Sequence, residues 1–344
     1  MNNANNIILV GAGRYGAEAL NFFGFRNVYC FVDSYKAGKM HYGKMVISFE
    51  ELAQIHARYK IIIALSPNNV KTIKQISDRL IEYRISYSLY FDYYADYADT
   101  AMSNDKFLKW KDVYSGGRCF LIGNGPSLRM DDLDKLKSSN AYSMGCNFIN
   151  KAFDKTEWRP NFYCCSEDSA ILLNKDFIFN SPLDAKFIAN CPREIIRELF
   201  NDLPEDVCVF FRAMSSNAIT KDPTKILYSG GSVMCSMLSI ALFMGFKEII
   251  LLGVDNTAPP TVFTHNFSNA NGHFYKENVD ELEERKQIMS SWALDNDFEL
   301  YANQLNATYS LIKEHAKKQS ANIFNATRGG KLEVFERVDF DSLF

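Results

Sequence analysis

The sequence contains no Cys-x-x-Cys pair, although it has 8 cysteines. This absence argues against a structural zinc site, because such sites usually draw their ligands from closely spaced cysteine pairs. Two of the cysteines, Cys164 and Cys165, are direct neighbours and cannot readily form a disulfide with each other. We therefore expect reduced, mostly buried thiols, no metal site and a cytoplasmic location.

The sequence also lacks a long apolar run and an excess of one charge. Its longest apolar stretch, 237–246, is too short to span a bilayer, and the polar residues 1–6 do not resemble a signal peptide. Lys and Arg number 38 against 41 Asp and Glu, which gives a net charge of −3 and argues against a nucleic-acid partner. Peripheral membrane association and homo-oligomerisation are both compatible with this composition.

The chain is long and apolar enough for two domains, with 344 residues of which 47% are hydrophobic. The strand and helix patterns predict an α/β protein with two Rossmann-like domains. The predicted limits are a nucleotide- or nucleotide-sugar-binding domain at residues 1–97, a linker at 98–115 and a catalytic domain at 116–344. The second domain is expected to have a mainly parallel sheet and C-terminal helices.

A glycine-rich turn opens the first domain. Gly11, Gly13 and Gly16 form Gly-x-Gly-x-x-Gly between a predicted strand and a predicted helix, and Asp33 follows 20 residues after Gly13. Such glycines let a phosphate approach the backbone, and the acid can accept from a ribose hydroxyl. The domain's layout resembles the small nucleotide-sugar-binding domains of bacterial sugar acyltransferases. Two interpretations stay open: a nucleotide site at these four residues, or a Rossmann-shaped domain that has lost its ligand and mediates contacts.

Two further small-residue turns occur in the second domain. The first holds Gly123, Asn124, Gly125 and Ser127, directly after the predicted strand 118–122. Asn124 can hydrogen-bond a base, a sugar or a phosphate. Ser127 can cap the next helix or donate to an anion.

The second turn holds Gly230, Gly231 and Ser232 and precedes a very apolar helix. The glycines allow close approach of a ligand, and the helix N-terminus can hold an anion. Asp255 then follows an apolar strand at 249–252, at the end where open α/β sheets place their ligands. The alternative is an ordinary helix–strand unit in which the glycines only form a turn.

Other predicted strands also end in polar residues, namely Asn147 after one strand and Ser166 and Asp168 after the next. Because parallel strands share their carboxyl edge, this repeated placement indicates a site. Arg328, in the C-terminal segment, can reach an anionic substrate or can pair with a surface carboxylate.

The segments 123–128, 230–233 and 245–255 resemble two families at once. One is the MptE-like domain family, which includes archaeal hydroxymethylpterin pyrophosphokinases and the central domain of bacterial flagellin-modifying nonulosonate transferases. The other is glycosyltransferase family 42, the bacterial sialyltransferases that use CMP-sialic acid. The tail at 321–335 is similar to endings in these families. The resemblance covers about residues 116–340 and implies that the second domain is a GT-A-like variant.

The resemblance implies that the β-strand ends hold a nucleotide, with Asn147 against CMP and Asp255 against the ribose or the reacting sugar. The candidate binding residues are Gly123, Asn124, Gly125, Ser127, Asn147, Ser166, Asp168, Gly230, Gly231, Ser232 and Arg328. The sialyltransferases also have a catalytic histidine after the strand that ends near Asp255. Here His265 and His273 occupy that region, with a different spacing, and either is expected to act with Asp255. We prefer His273 as the base that deprotonates the acceptor hydroxyl, because a histidine pKa lies near neutrality.

These observations predict a metal-independent glycosyltransferase without a cofactor. It would move a nonulosonate sugar from a CMP-sugar donor to a surface glycan or protein acceptor. One alternative is an MptE-like pyrophosphokinase that uses ATP and magnesium, with Asp168 and Asp255 as the carboxylates. Another is a non-catalytic sugar-nucleotide-binding protein.

Overall fold

In a computed structural model of the chain, the structure describes residues 6–65, 69–90, 105–190, 203–213, 219–224, 226–257, 272–276 and 298–344. These residues form two compact units, the first within 6–90 and the second within 105–344.

The first unit is a six-stranded sheet with helices between its strands. Its strands are β1 (Ile7–Val10), β2 (Val28–Val32), β3 (Met40–His41), β4 (Lys44–Ile47), β5 (Lys60–Ile63) and β6 (Tyr87–Leu89). Its helices are α1 (Arg14–Phe23), α2 (Phe49–Ile55) and α3 (Val70–Glu82), with a 3-10 turn at His56–Arg58. The strand order is β3-β4-β2-β1-β5-β6, and every pair is parallel except the β3–β4 hairpin.

Local sequence explains the start of both a strand and a helix in this unit. All four residues of β1 are buried, as expected for a central parallel strand covered on both faces. Helix α2 begins with a capping box, in which Glu51 N donates to Ser48 Oγ (3.2 Å) and Ser48 N donates to Glu51 Oε2 (2.7 Å).

The second unit is built on a nine-stranded sheet. Its strands are β7 (Arg118–Ile122), β8 (Ser143–Cys146), β9 (Phe162–Cys165), β10 (Ala185–Asn190), β11 (Val207–Ala213), β12 (Leu227–Tyr228), β13 (Glu248–Leu252), β14 (Asn322–Asn325) and β15 (Glu336–Arg337). Its helices are α4 (Asp105–Leu108), α5 (Met130–Ser138), α6 (Asp168–Leu173), α7 (Lys175–Asn180), α8 (Val233–Phe243) and α9 (Phe298–Lys318), with 3-10 helices at Asn147–Ala152 and Phe340–Leu343. All neighbouring strands of this sheet are parallel. The predicted α/β class and mainly parallel sheet are confirmed.

The order of the second sheet is β12-β11-β10-β9-β8-β7-β13-β14-β15. From β7 the chain builds outward through β8 to β12, and then returns to place β13 on the opposite side of β7. The carboxyl ends of β7 and β13 therefore form the topological switch point of the sheet, where open α/β sheets bind their ligands.

Helix α8 crosses this sheet and packs against β7, β8, β9 and α9. Residues 234–242 of the helix are all buried, which explains why its sequence is apolar on every face. Residues 105–115, within the predicted linker, also contribute to the core of the second unit. There the buried ring of Phe107 lies 5.1 Å from that of Phe187 and 5.3 Å from that of Phe243. The predicted domain limits themselves stay a prediction.

Two expectations from composition can be compared with the structure. The described cysteines are free and buried, and burial raises the pKa of the Cys208 thiol to about 11. Within the described residues, no helix combines the length and the apolarity that a bilayer span requires.

Candidate functional site

The loop after β7 (residues 123–128, the β7 loop) packs directly on the loop after β13 (253–257, the β13 loop). Gly123 N donates to Leu252 O and Gly125 N donates to Gly253 O, both at 2.8 Å. A Cβ at Gly123 would lie 2.5 Å from Gly253 O, and a Cβ at Gly125 would lie 1.8 Å from Asp255 Oδ2. Both glycines are therefore required by the contact between the two loops, whether or not a ligand approaches them.

Asp255 is held on several sides within this contact. Its Oδ2 accepts from Ser127 Oγ at 2.8 Å, and its main-chain oxygen accepts from Lys331 N at 2.7 Å. A Cβ at Gly330 would lie 2.5 Å from that oxygen, so the C-terminal segment also closes on Asp255. Ser127 was expected to cap the next helix or to donate to an anion. Its hydroxyl donates to the carboxylate of Asp255, and the N-cap of α5 is Arg129 and not Ser127.

Two asparagines at the ends of β7 and β8 carry buried side-chain oxygens. Asn124 Nδ2 donates to Cys146 O at 3.0 Å, while Asn124 Oδ1 has no hydrogen-bond partner among the described residues. Asn147 has a left-handed backbone (φ 44°), and its Oδ1 is likewise buried without a partner in the described part of the chain. Burial raises the pKa of the neighbouring Cys146 thiol, which makes this cysteine a poor nucleophile.

The segment 272–276 lies against the β7 loop, because Phe274 N donates to Asn124 O at 3.0 Å. This bond places His273 beside the loop. The ring of His273 stacks on the buried ring of Tyr275, with centroids 4.9 Å apart and planes 7° apart. Tyr275 also contacts Phe148 and lies 4.8 Å below the amino group of Lys151, both from the 3-10 helix after β8. His265 lies outside the described residues.

The predicted turn at Gly230, Gly231 and Ser232 has a packing role that sequence analysis did not foresee. A Cβ at Gly230 would lie 2.6 Å from Thr308 Cγ2 on α9, and both glycines have positive φ. Ser232 caps α8 by accepting from Met234 N at 3.2 Å. A ligand contact at this turn stays a prediction.

Helix α9 nevertheless brings that turn close to the β13 loop. Asn256 Nδ2 donates to Asn306 Oδ1 at 3.2 Å, two residues before the Thr308 that packs against Gly230. The β13 loop and the N-terminus of α8 therefore converge on a single turn of α9.

Ser166 and Asp168 follow β9, and both are engaged by a residue that sequence analysis missed. Arg212, at the end of β11, donates to Ser166 O and pairs with Asp168 Oδ1 at 3.5 Å. The side chain of Asp168 is buried, and that of Arg212 is only 14% exposed. The rule that found Ser166, a polar residue at a strand end, would also have found Arg212.

Arg328 is occupied by carboxylates of the same unit. Its Nε and Nη2 donate to the buried Asp132, and Nη2 also donates to Asp341 at 2.9 Å. These two carboxylates raise the pKa of the Arg328 guanidinium above its ordinary value. Of the two roles left open for Arg328, the structure supports the ion pair with carboxylates. Arg328 is therefore not part of the proposed site.

In the first unit, side chains of the same unit form hydrogen bonds with the backbone of the glycine turn. Asp33 accepts from Ala12 N (3.1 Å) and from Tyr35 N (2.9 Å), and Lys36 Nζ donates to Ala12 O at 2.6 Å. A Cβ at Gly16 would lie 2.1 Å from Gly11 O, which explains this glycine by helix–strand packing. Whether Gly11, Gly13, Gly16 and Asp33 bind a nucleotide stays a prediction.

The candidate magnesium carboxylates are not arranged as a metal site. Asp255 bonds to Ser127, and Asp168 pairs with Arg212. Across the residues that the structure describes, no group of three or more His, Cys, Asp or Glu side chains could hold a metal ion.

Residues 93–259 match the family model described as 6-hydroxymethylpterin diphosphokinase MptE-like. The resemblance to that family is confirmed over these residues, which are just under half of the chain. The match includes the β7 loop, Asn147, the Gly230 turn and Asp255, and it ends before segment 272–276 and α9.

Among solved structures, the chain is similar to the MAf glycosyltransferase from Magnetospirillum magneticum AMB-1. The identity is 15% and the TM-score 0.39, over 99% of this chain and 58% of that one. The chain thus spans less than two thirds of that protein's length. No curated protein sequence matches the chain significantly.

Proposed function

We propose that this protein is a transferase that binds a CMP-linked nonulosonate sugar at the switch point between β7 and β13 and transfers the sugar to a surface glycan or protein. One observation carries the proposal. Two buried amide oxygens, of Asn124 and Asn147, have no donor among the described residues, and they stand at the carboxyl ends of β7 and β8. A buried acceptor without a donor is costly, and a bound ligand that supplies N–H or O–H groups would remove that cost.

Asp255 and the N-terminus of α8 supply the remaining parts of the proposed donor site. Asp255 is fixed by Ser127 and can accept from a ribose or sugar hydroxyl. The N-terminus of α8 reaches the same turn of α9 as the β13 loop, and a helix N-terminus favours a phosphate. Together these groups would orient a nucleotide monophosphate and its sugar without a metal ion.

His273 is the proposed base in the transfer step. Its imidazole takes the proton of the acceptor hydroxyl while the acceptor oxygen forms a bond to the anomeric carbon. The bond between the anomeric carbon and the phosphate oxygen breaks, and CMP leaves with the electron pair. Tyr275 holds the plane of the His273 ring by stacking on it.

A diphosphokinase is the second candidate, because the matching family model carries that description. It would move a diphosphate from ATP to a pterin alcohol and release AMP. The pairing of Asp168 with Arg212 is the observation against it, since a cation already compensates the charge of this buried carboxylate. Magnesium-dependent formation of AMP from ATP and hydroxymethylpterin would establish this candidate in place of the first.

The test of the proposed function is release of CMP from CMP-sialic acid or CMP-pseudaminic acid in the presence of a glycan acceptor. We expect His273→Ala to lower turnover by about 10²–10⁴-fold while nucleotide binding persists. His56→Ala, in a 3-10 turn of the first unit, is the matched control. If calorimetry detects no binding of either CMP-sugar, the proposal fails. Binding without turnover under any acceptor would instead favour a non-catalytic sugar-nucleotide-binding protein.

A further inference from the structure

The loop between β14 and β15 (residues 326–335, the C-terminal loop) fixes the main chain around Asp255, although it lies outside the residues that match the family model. Thr327 Oγ1 accepts from Val254 N at 3.0 Å, and Lys331 N donates to Asp255 O at 2.7 Å. The C-terminal loop therefore bonds to the N–H of the residue before Asp255 and to the carbonyl of Asp255 itself.

The tip of this loop, residues 329–331, lies directly against Asp255. Gly330 has a left-handed backbone (φ 74°), and a Cβ on it would lie 2.7 Å from Asp255 Cα. Only glycine allows so close an approach in this conformation. The position of Asp255 therefore depends on where the tip of the C-terminal loop lies.

One guanidinium group binds the carbonyl oxygens of the tip. Arg337 Nη1 donates to Thr327 O (3.2 Å) and to Gly329 O (2.7 Å), and Arg337 Nη2 donates to Gly330 O (3.2 Å). A guanidinium is planar and directs its N–H groups along fixed lines, so these three bonds restrict the loop to one conformation.

Arg337 and Asn325 hold different parts of the same loop. The two residues are register partners in the β14–β15 pair. The buried Asn325 accepts from Thr327 N (3.0 Å) and donates to Leu332 O (2.8 Å), so it fixes the two ends of the loop. Glu333 orients the guanidinium by accepting from Arg337 Nε (3.0 Å) and Nη2 (2.6 Å). The tip itself is left to Arg337.

We propose that Arg337 is a positioning residue that fixes Asp255 for binding of the donor, by holding the tip of the C-terminal loop against it. It acts through Thr327 and Lys331, which bond to the main chain at Asp255. The inference rests on the proposed donor site between β7 and β13 and adds to it a residue from outside the family match. The Arg337 side chain is 33% exposed, so its replacement does not open a cavity in the core.

Arg159 provides a matched control in the same unit. Its guanidinium also donates to three main-chain oxygens of one segment, those of Phe153, Thr156 and Trp158. That segment leads into the amino end of β9, at the opposite edge of the sheet from the proposed donor site. Arg159→Gln therefore removes the same kind of contact away from Asp255.

The first test needs no ligand and measures amide hydrogen exchange on the full chain. In Arg337→Gln we expect the Val254 and Lys331 amides to exchange at least about tenfold faster, because the loop that bonds to them is no longer restrained. Arg159→Gln should leave both rates unchanged. Unchanged exchange of these two amides in folded Arg337→Gln would overturn the proposal.

A second variant keeps this test decisive if Arg337→Gln does not fold. Glu333→Ala removes an exposed carboxylate that orients the guanidinium and leaves the three carbonyl oxygens in place. We expect the same two amides to exchange at least about twofold faster. No change in their rates would overturn the proposal in this variant as well.

The second test measures what the positioning does for the donor. Calorimetry uses whichever of CMP-sialic acid and CMP-pseudaminic acid binds the unmodified chain. We expect its Kd to rise at least about threefold in Arg337→Gln and to stay unchanged in Arg159→Gln, because a disordered loop must be ordered again on binding. In the transfer assay the loss should appear in KM for the CMP-sugar and not in KM for the acceptor. Faster exchange with unchanged donor affinity, or a loss in kcat alone, would overturn the proposal.

Failure of this inference and failure of the proposed function give different results. If the unmodified chain binds neither CMP-sugar, the proposed function fails, and the exchange rates of Val254 and Lys331 still decide whether Arg337 holds Asp255 in place. If the chain binds and transfers the sugar while Arg337→Gln behaves as the unmodified chain, the function stands and the positioning role is refuted.

Discussion

Each of the two units has a glycine turn between its first strand and a helix. The two turns differ in which of their polar atoms have a hydrogen-bond partner among the described residues. In the first unit the Ala12 peptide is occupied on both sides, by Asp33 at its N–H and by Lys36 at its carbonyl. In the second unit the corresponding acid, Asp255, bonds to a serine hydroxyl of the loop, and Asn124 Oδ1 stays without a donor among the described residues.

The comparison shows that a glycine signature predicts a close approach of chain segments more directly than it predicts a ligand. Gly16 and Gly125 are both required by contacts within the protein, at 2.1 Å and 1.8 Å from a hypothetical Cβ. The likelihood of a ligand is set by the polar atoms that remain after these contacts form. By that criterion the second turn is the stronger candidate for a nucleotide site.

The largest expected effect comes from Gly125→Ala. The new methyl group would overlap Asp255 Oδ2, so the two loops must separate, and we expect a loss of about 1–3 kcal/mol in the free energy of unfolding together with loss of CMP binding. Urea unfolding and calorimetry measure both.

Gly13→Ala is the matched change in the first turn, where a Cβ would meet nothing within 4 Å. We expect a change within about 0.5 kcal/mol. Similar destabilisation by both substitutions would remove the difference between the two turns.

The next effect concerns the stacking of Tyr275 on His273. Tyr275→Leu removes the flat surface against which the imidazole lies, so we expect kcat/KM for sugar transfer to fall between about tenfold and 100-fold. Tyr275→Phe keeps the ring and should retain most of the activity. If both variants lose activity equally, the hydroxyl and not the stacking is responsible.

The smallest effect concerns the first unit. Burial, followed by the charge of Lys36, lowers the pKa of His41 from its ordinary value of 6.5, while Asp33 acts in the opposite direction. The unfolded chain therefore takes up this proton first as the pH falls. The stability that neutral His41 contributes is present above about pH 6.5 and is lost as the pH decreases from there toward the lowered pKa.

The melting temperature, measured between pH 7 and pH 5, should decrease as the pH falls. The substitution His41→Gln should make this dependence of the melting temperature on pH less steep. If the variant shows the same dependence of melting temperature on pH, His41 does not cause the pH dependence of the stability of the first unit.

Sequence reasoning predicted the strand–turn–helix frame of both turns and the position of Asp255 at a strand end, because strand periodicity and glycine spacing are local signals. It could not predict the partner of Asp255, since Ser127 is separated from it by 128 residues. Arg328 illustrates the same limit, because its carboxylate Asp132 is 196 residues away in the sequence.

The hydrogen bond from Asn150 Nδ2 to Asn174 Oδ1, at 3.1 Å, shows a second limit. Asn150 and Asn174 lie in segments without a recognisable motif, and this bond exists only because β8 and β9 are neighbours in the sheet. Arg212, in contrast, stands at a strand end and was available to the same rule that selected Ser166.

The central claim is that the nucleotide site lies in the turn of the second unit, and calorimetric titration of CMP into the unmodified chain and into Gly125→Ala tests it most directly. We predict one CMP per chain in the unmodified protein and no binding in the variant. Binding of two CMP per chain, or equal binding of CMP by the folded variant, would contradict the claim. Either result would make the glycine turn of the first unit a candidate nucleotide site again.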